Sequence, residues 1–226
     1  MNITHAQSEQ IQGDMLKAIF DRQRELMDKY HHIEVKSGLL QTADCPVNLD
    51  DKRGQARLKD FAWRTTEELA EALDTMREDG EENNLHFMEE LVDALHFFTE
   101  LTILSGHTPD DIATYHFGYT FKDKDILAAM FDKAHYVINS YEYQRPISRE
   151  LMEFIIELGM MCNTLKNKPW KQSQMVTDKG EFRARLMEAW LHFIMILCAA
   201  GLDAETTCDL YLKKSQVNKF RQRTNY

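Results

Sequence analysis

Two pairs of acidic residues are the clearest chemical feature of this 226-residue sequence. Glu68 precedes Glu71 by three positions in the segment EELAE, and Glu90 precedes Asp93 by three in EELVD. Residues three apart lie on one face of a helix, so each pair predicts two neighbouring carboxylates. Gly80 lies midway between the pairs in a polar stretch. If the chain folds back there, all four acids lie at the same height on two helices, because each helical residue adds ~1.5 Å.

Four acids that meet beside packed apolar residues repel one another and are costly to desolvate unless a cation joins them. Carboxylate ligands select hard cations, so we expect Mg²⁺, with Mn²⁺ possible. The alternative is a solvated helix face paired with lysines, but no lysine lies between Lys59 and Lys122. A di-iron bundle carries Glu-x-x-His motifs on two helices, and it is the weaker alternative because the sequence does not offer such a pair of motifs. We therefore expect His96, which follows the second acid pair, to be a partly buried histidine with its hydrogen bonds satisfied.

The C-terminal segment predicts a site for an anion. Residues 211–226 contain five cations and no acid in a chain whose formal charge is −10. On a continuous helix, Lys214, Asn218 and Arg221 form one stripe, which suits a polyphosphate because Arg binds phosphate in a bidentate manner and Lys supplies a point charge. The alternative is a frayed, solubilising tail. A hard-cation site and a phosphate clamp together favour a nucleotide or polyphosphate hydrolase.

Composition excludes several other classes. At 43% apolar and 28% charged residues the chain is typical of globular proteins rather than disordered or fibrous ones. Its acidic balance argues against a nucleic-acid partner. The longest apolar run, residues 190–202, is shorter than the ~20 residues that span a bilayer, and no secretory signal is visible, so we expect no membrane partner. Four cysteines without a CxxC pair predict reduced thiols and a cytoplasmic location.

The elements that must position these residues are helices. Only four prolines interrupt long stretches rich in Leu, Met, Ala, Glu and Lys, in which apolar residues recur at three and four positions. This pattern predicts an all-α fold. Gly106 followed by Thr108 and Pro109, and Gly201 followed by Asp203, predict two points where one helix ends and the next begins.

A weak internal repeat predicts the domain organisation. The tripeptide Leu-His-Phe at 95–97 and again at 191–193 is followed each time by an apolar run, a glycine and an acidic helix start. Glu150 and Glu153 precede the second copy as Glu68 and Glu71 precede the first. We therefore expect a helical bundle of two tandem hairpin units in a single domain spanning 1–226. The active unit covers about 1–120, and a degenerate unit with the basic tail covers about 121–226. The alternative is that amphipathic helices simply look alike.

From Asp14 to Tyr226 the sequence resembles the all-α nucleoside triphosphate pyrophosphatases (MazG-like), and within them the branch of dimeric dUTPases and phage dCTPase/dUTPases. The segments EELAE and EELVDALHF resemble the acid-pair helices of that superfamily. The tail resembles the phosphate-binding motif of the branch in order and spacing: Lys214-x3-Asn218-x2-Arg221-Gln222-x3-Tyr226. Gln23-x-x-Leu26 is similar to a Gln-x-x-Leu-Asn motif near the base. The tandem-unit architecture also fits this branch.

The sequence departs from the pattern of the branch at three places. Met27 stands where the asparagine that contacts the base would be, which bears on uracil selectivity. The Trp-Lys-x-Trp-Lys segment between the acid pairs is missing, and its nearest likeness, Lys168-Pro169-Trp170-Lys171, lies in the second unit without an assigned role. Asn225 replaces the final glycine, a mild change because Asn also tolerates left-handed backbone.

The resemblance implies Mg²⁺-dependent hydrolysis of a deoxynucleoside triphosphate by a homodimer, with dUTP cleaved to dUMP and diphosphate and attack favoured at the β-phosphorus. The alternatives are dCTP or a broad dNTP range, and a non-catalytic helical interaction protein. Glu68 or Glu71 would act on the attacking water, and Gln23 would contact the base. Trp63 is a stacking candidate, although a core position is the alternative. The further implied ligands are Glu68, Glu71, Glu90 and Asp93 for metal, and Lys214, Asn218, Arg221 and Tyr226 for phosphate.

Overall fold

A computed structural model describes residues 3–38, 44–79, 85–140, 146–168 and 170–224. Within these ranges the chain forms eight α-helices and no strand, so the all-α prediction is confirmed. A short 3₁₀ helix, Ile3–His5, precedes them. The helices are α1 Met15–Lys36, α2 Lys52–Asp79, α3 Leu85–Leu104, α4 Pro109–Phe117, α5 Ile126–Ser140, α6 Ile147–Thr164, α7 Lys179–Ala199 and α8 Ala204–Arg223.

The two predicted helix boundaries are confirmed. Thr108 caps α4 in a reciprocal capping box with Asp111, and Gly106 before it adopts a φ of +85° that favours glycine. At the second boundary, Gly201 has a φ of +79° and the Asp203 side chain accepts a hydrogen bond from the Thr206 backbone N–H at the start of α8. These caps fix where α3 and α7 end, and therefore the register of the side chains along both helices.

Helices α2 and α3 form an antiparallel pair. The rings of Phe61 and Phe97 lie 6.2 Å apart, while Glu68 faces Glu90 further along the pair. The predicted fold-back at Gly80 lies outside the described residues. Helices α6 and α7 form a second antiparallel pair, since the ring of Phe154 contacts Phe193 and Glu157 accepts hydrogen bonds from Arg185.

The remaining helices complete one hydrophobic core that draws buried residues from α1 to α8. Helix α8 packs against α1 and α3, which places the basic C-terminal helix beside the acidic helix α3. Among the described helices, none alone has the length and apolarity needed to cross a bilayer. Only α7 and α8 taken together pass that test, and they are bent by 97°.

Candidate active site

Four helices, α1, α2, α3 and α8, enclose a cavity of about 290 Å³. Each helix contributes residues spaced at helical turns, because one face of each helix is turned inward. On α3, Asp93 and Glu100 are separated by seven positions, so the cavity extends ~10 Å along this helix. This volume is near the small end of the roughly 300–1,000 Å³ found for small-molecule sites. Residues lining the cavity include Gln23, Leu26, Tyr30, Phe61, Arg64, Glu68, Asp93, His96, Phe97, Glu100, Asn218 and Arg221.

At the acidic end of the cavity, three of the four predicted metal ligands converge. One carboxylate oxygen from each of Glu68, Glu71 and Glu90 lies within 4.8 Å of the others. Glu71 is exposed, whereas Glu68 and Glu90 are half-buried. The fourth acid, Asp93, stays outside this group because its Oδ2 lies 2.5 Å from the Lys214 Nζ. The predicted convergence therefore holds for three acids, and the fourth is paired with a cation from α8.

The carboxylates of the acid cluster repel one another, and this repulsion changes their pKa values. Burial, followed by the nearby charges of Asp93, Glu71 and Glu90, raises the pKa of Glu68 to about 8. Burial and Asp93 also raise the pKa of Glu90, although the exposed His86 lies 2.9 Å from one of its oxygens. A proton neutralises one carboxylate, whereas a divalent cation between the oxygens would offset two negative charges and attract all three groups. The residues present therefore fit a hard cation such as Mg²⁺.

Helix α8 confirms the predicted basic stripe on one continuous helix. Asn218 and Arg221 line the cavity. Lys214 is buried, with 8% exposure, because its ammonium group is turned toward Asp93 and, at 4.0 Å, Glu89. The predicted Tyr226 lies outside the described residues. The fold brings Asn218 and Arg221 of α8 to the same cavity as Glu68 and Asp93, although they lie more than a hundred residues apart in sequence.

Gln23, the residue predicted to contact the base, lines the cavity beside Glu100. Its Nε2 donates to Glu100 Oε2 at 2.8 Å, and its Oε1 accepts from the Tyr211 hydroxyl at 2.6 Å. Trp63, in contrast, is 62% exposed, donates to Glu67, and does not line the cavity. Met27 is buried and lines a different cavity, so its side chain is not part of this one.

The prediction that His96 has its hydrogen bonds satisfied is wrong. Its Nδ1 lies 2.9 Å from the Val92 carbonyl, which can only accept, so Nδ1 carries the proton. Among the residues that the structure describes, none donates a hydrogen bond to the acceptor atom Nε2. Burial lowers the pKa of His96 to about 4, and its ring stacks on Tyr211 with centroids 3.8 Å apart. A neutral histidine with a free acceptor thus lines the cavity one turn from Asp93.

Sequence reasoning missed several lining residues. Phe61 and Arg64 precede Glu68 by seven and four positions, so their spacing alone could have placed them on the same face of α2. The Arg64 guanidinium lies 4.9 Å from the Phe61 ring centroid and 5.8 Å from that of Phe97. Glu100 had a similar signal, because it lies seven positions after Asp93. Its burial, at 5% exposure, could not be foreseen, because an acidic residue without a known partner is expected at the surface.

The tetrapeptide that resembles the Trp-Lys segment lies apart from this cavity. Trp170 is 76% exposed, and the Lys168 ammonium lies 5.4 Å from its ring centroid. Lys52, at the start of α2, donates a hydrogen bond to the Lys171 carbonyl. None of these residues lines the cavity, and Pro169 lies outside the described residues.

A sequence model of a protein family, described as dUTPase, matches residues 15–226. The match covers α1 to α8, and therefore every helix that contributes to the cavity. No curated protein and no solved structure matches the chain.

Proposed function

We propose a specific reaction from the premise that this chain belongs to the dUTPase family and is therefore a hydrolase of the dUTP diphosphatase class. The reaction is the Mg²⁺-dependent hydrolysis of dUTP to dUMP and diphosphate. The observation that carries the proposal is that Glu68, a member of the acid cluster, lines the same cavity as Arg221 of α8, while Lys214 of α8 pairs with Asp93 at that cavity. An acidic cluster alone would attract only a cation, whereas both together suit a metal-bound triphosphate.

Glu68, Glu71 and Glu90 would hold Mg²⁺, or Mn²⁺, with Asp93 as a further ligand once it separates from Lys214. When bound, the metal lowers the pKa of a water molecule and neutralises charge on the phosphates. Glu68 is the better of the two predicted catalytic residues, because it is half-buried and lines the cavity while Glu71 is exposed. Its role is to orient the attacking water and accept its proton.

The Lys214–Asp93 ion pair couples phosphate binding to metal binding. A triphosphate offers Lys214 a partner of higher charge than Asp93, so substrate would draw the ammonium away and release the Asp93 carboxylate. Arg221 and Asn218, which line the same cavity, would hold the phosphate chain with Lys214. Tyr226 remains a phosphate ligand on the resemblance alone, as does attack at the β-phosphorus.

For the base we propose Gln23, with the lining rings of Phe61 and Phe97 as apolar surface beside it. Trp63 is the weaker candidate because it is exposed away from the cavity. Hydrolysis of dCTP, or of a broad range of dNTPs, is the alternative within the same fold. Met27 bears less on this choice than its sequence position indicated, because it does not line the cavity.

We further propose a cytoplasmic homodimer built from single-domain chains, each with an active unit over about 1–120 and a degenerate unit over about 121–226. Exposed apolar residues support the dimer: Met152, Ile156 and Met160 occur at every fourth position on α6. An uncovered apolar stripe of this kind is typical of a surface that another chain covers. The molar mass in solution, measured by light scattering, tests the dimer.

The proposed reaction is tested by supplying each common NTP and dNTP with Mg²⁺ and measuring diphosphate against monophosphate release. We expect dUTP to give dUMP and diphosphate, with activity lost in E68A and D93A. If the purified chain hydrolyses none of these substrates and both variants change only stability, it is a non-catalytic helical protein. Bound iron with visible absorbance would instead indicate a carboxylate-bridged redox bundle.

A further inference from the structure

Gln23 is held by residues of two other helices. Glu100 of α3 accepts a hydrogen bond from its Nε2, and the hydroxyl of Tyr211 on α8 donates to its Oε1. All three side chains are buried, with exposures of 3%, 5% and 0% for Gln23, Glu100 and Tyr211. We refer to these three residues as the amide lock.

The carboxylate of Glu100 fixes which end of the Gln23 amide is which. A carboxylate oxygen accepts, so Glu100 requires the NH₂ end. The Tyr211 hydroxyl keeps its proton, because burial raises its pKa well above the ordinary value, and it donates that proton to the oxygen end. Rotating the amide by 180° would set its oxygen against the Glu100 carboxylate, and this hydrogen bond would be lost at a buried position where unpaired polar groups are costly. The Tyr211 hydroxyl could turn its proton away and accept from the NH₂ group, so it supports the orientation that Glu100 decides.

The carboxylate of Glu100 also lies close to α1. Its other oxygen, Oε1, is 3.5 Å from the Nε2 of His31, a buried residue with 5% exposure, although the two atoms do not form a hydrogen bond. Tyr211 is likewise fixed, because its ring stacks on His96 at an interplanar angle of 5°. Neither partner of Gln23 can turn away without disturbing a further buried contact.

The lock leaves Gln23, a residue that lines the cavity, with one unused N–H and one unused lone pair in a fixed order. Uracil presents a donor at N3 next to a carbonyl acceptor at C4. Cytosine presents an acceptor at N3 next to an amino donor at C4, which is the opposite order. An amide free to rotate could pair with either base, whereas a fixed amide pairs with one.

We propose that Glu100 is a specificity-determining positioning residue, which fixes the orientation of the Gln23 amide, with Tyr211 in support, so that the site accepts uracil and rejects cytosine. This inference rests on the proposed function, in which Gln23 contacts the base. Neither residue needs to touch the substrate. The amide lock would also provide base selectivity in this chain, which has Met27 at the position where the branch that it resembles has asparagine.

The test compares kcat/KM for dUTP and dCTP in the wild-type protein and in E100Q/Y211F. Gln at position 100 offers Gln23 either an oxygen or an NH₂, and Phe at 211 keeps the ring but removes the hydroxyl, so both amide orientations become possible. We expect the wild type to prefer dUTP by about tenfold or more and the double variant to prefer it by less than about threefold. Most of the change should appear in KM, with kcat for dUTP retained.

Loss of folding cannot mimic this result, because both substrates are measured on the same preparation and the folded fraction cancels in the ratio. E100Q alone should also lower the preference, and it decides the test if the double variant does not fold. The matched control is Y115F, which removes a hydroxyl that donates to Glu188 away from the cavity; its preference should equal that of the wild type. An unchanged preference in E100Q/Y211F or E100Q, or a wild type that does not discriminate, overturns the inference while leaving diphosphatase activity established. A wild type without any dNTP hydrolysis would instead refute the proposed function.

Discussion

The two antiparallel helical pairs, α2–α3 and α6–α7, differ at corresponding positions. Glu90 and Asp93 on α3 correspond to Leu186 and Ala189 on α7, 96 residues later, and both of the latter are fully buried. In α6–α7 the space is filled by packed side chains, including contacts of Phe154 with Phe98 and Phe193. In α2–α3 it remains a polar cavity. The two pairs therefore differ in that the positions of Leu186 and Ala189 are packed, whereas Asp93 lines a cavity.

The two helical pairs also differ in the surroundings of a glutamate on their first helix. Glu150, on α6, is 2% exposed and lies 3.3 Å from the Nδ1 of His192, so it has a partner within the protein. Glu68, on α2, lies among other acids, and burial with their charge raises its pKa to about 8. The second pair supplies its buried acid with a partner, whereas in the first pair the neighbouring acids make the charged form of Glu68 unfavourable.

The largest expected effect comes from giving α3 the residues of α7. E90L/D93A should lower dUTP hydrolysis by at least roughly a thousandfold, because two proposed metal ligands are lost. Thermal stability should fall, because the buried Lys214 loses its partner Asp93, and the relief of repulsion between the carboxylates should offset only part of this loss. Steady-state assays and thermal denaturation measure the two effects. The control D132A/E205L, which removes two acids outside the cavity, should keep full activity. A double variant of α3 that retains hydrolysis would refute the metal site.

The reverse exchange should be the next largest effect. L186E/A189D places two acids in a packed core without a cation, which should cost more than about 3 kcal/mol in the free energy of unfolding. Urea denaturation measures this loss, and L186M, which conserves volume, should cost less than about 1.5 kcal/mol. A stable L186E/A189D protein would show that α6–α7 has room for a second site.

Removal of the cation that links α8 to α3 should have a smaller effect. K214A should lower kcat/KM for dUTP about tenfold to a hundredfold, mainly through KM, because a charged phosphate contact is lost. K213A removes the same charge from the neighbouring position, where Lys213 pairs with Asp209, and should change kcat/KM less than about twofold. Equal effects in both variants would indicate a general charge effect and would contradict a specific role of Lys214.

The pH dependence of stability should follow the raised pKa of Glu68. Between the ordinary value of 4.5 and about 8, the folded protein binds more protons at this group than the unfolded chain does. Stability of the metal-free protein should therefore fall as the pH rises through this window. Melting temperatures measured with a chelator should show the decline, and E68Q should flatten it because it removes the titrating group. The same slope in wild type and E68Q would contradict this assignment.

The smallest expected effect is in the second pair. E150Q alters the counterpart of Glu68 but leaves the cavity untouched, so dUTP hydrolysis should change by less than about twofold. Its cost should be about 1 kcal/mol of stability, through a weaker contact with His192. Activity measured at a temperature where the variant is folded provides the check. A large loss of activity would show that the α6–α7 pair contributes to the reaction.

The helices and much of the site could be predicted from sequence, because periodicity and caps are local signals. Glu68, Glu71 and Glu90 converge as their spacing indicated, and Lys214, Asn218 and Arg221 share one helix. Spacing could not show the pairing of Asp93 with Lys214, because the packing of α8 on α3 is a long-range property of the fold. The same packing buries His96 so that its Nε2 meets no donor among the described residues, and it leaves Trp63 exposed outside the cavity. Neither outcome could be read from the spacing of residues.

A crystal structure with Mg²⁺ and a non-hydrolysable dUTP analogue tests the central claim most directly. The account predicts Mg²⁺ at about 2.1 Å from oxygens of Glu68, Glu71 and Glu90. Asp93 should be released to join them, and Lys214 and Arg221 should contact the phosphates. A complex in which Lys214 still pairs with Asp93, and the triphosphate binds away from these acids, would contradict it.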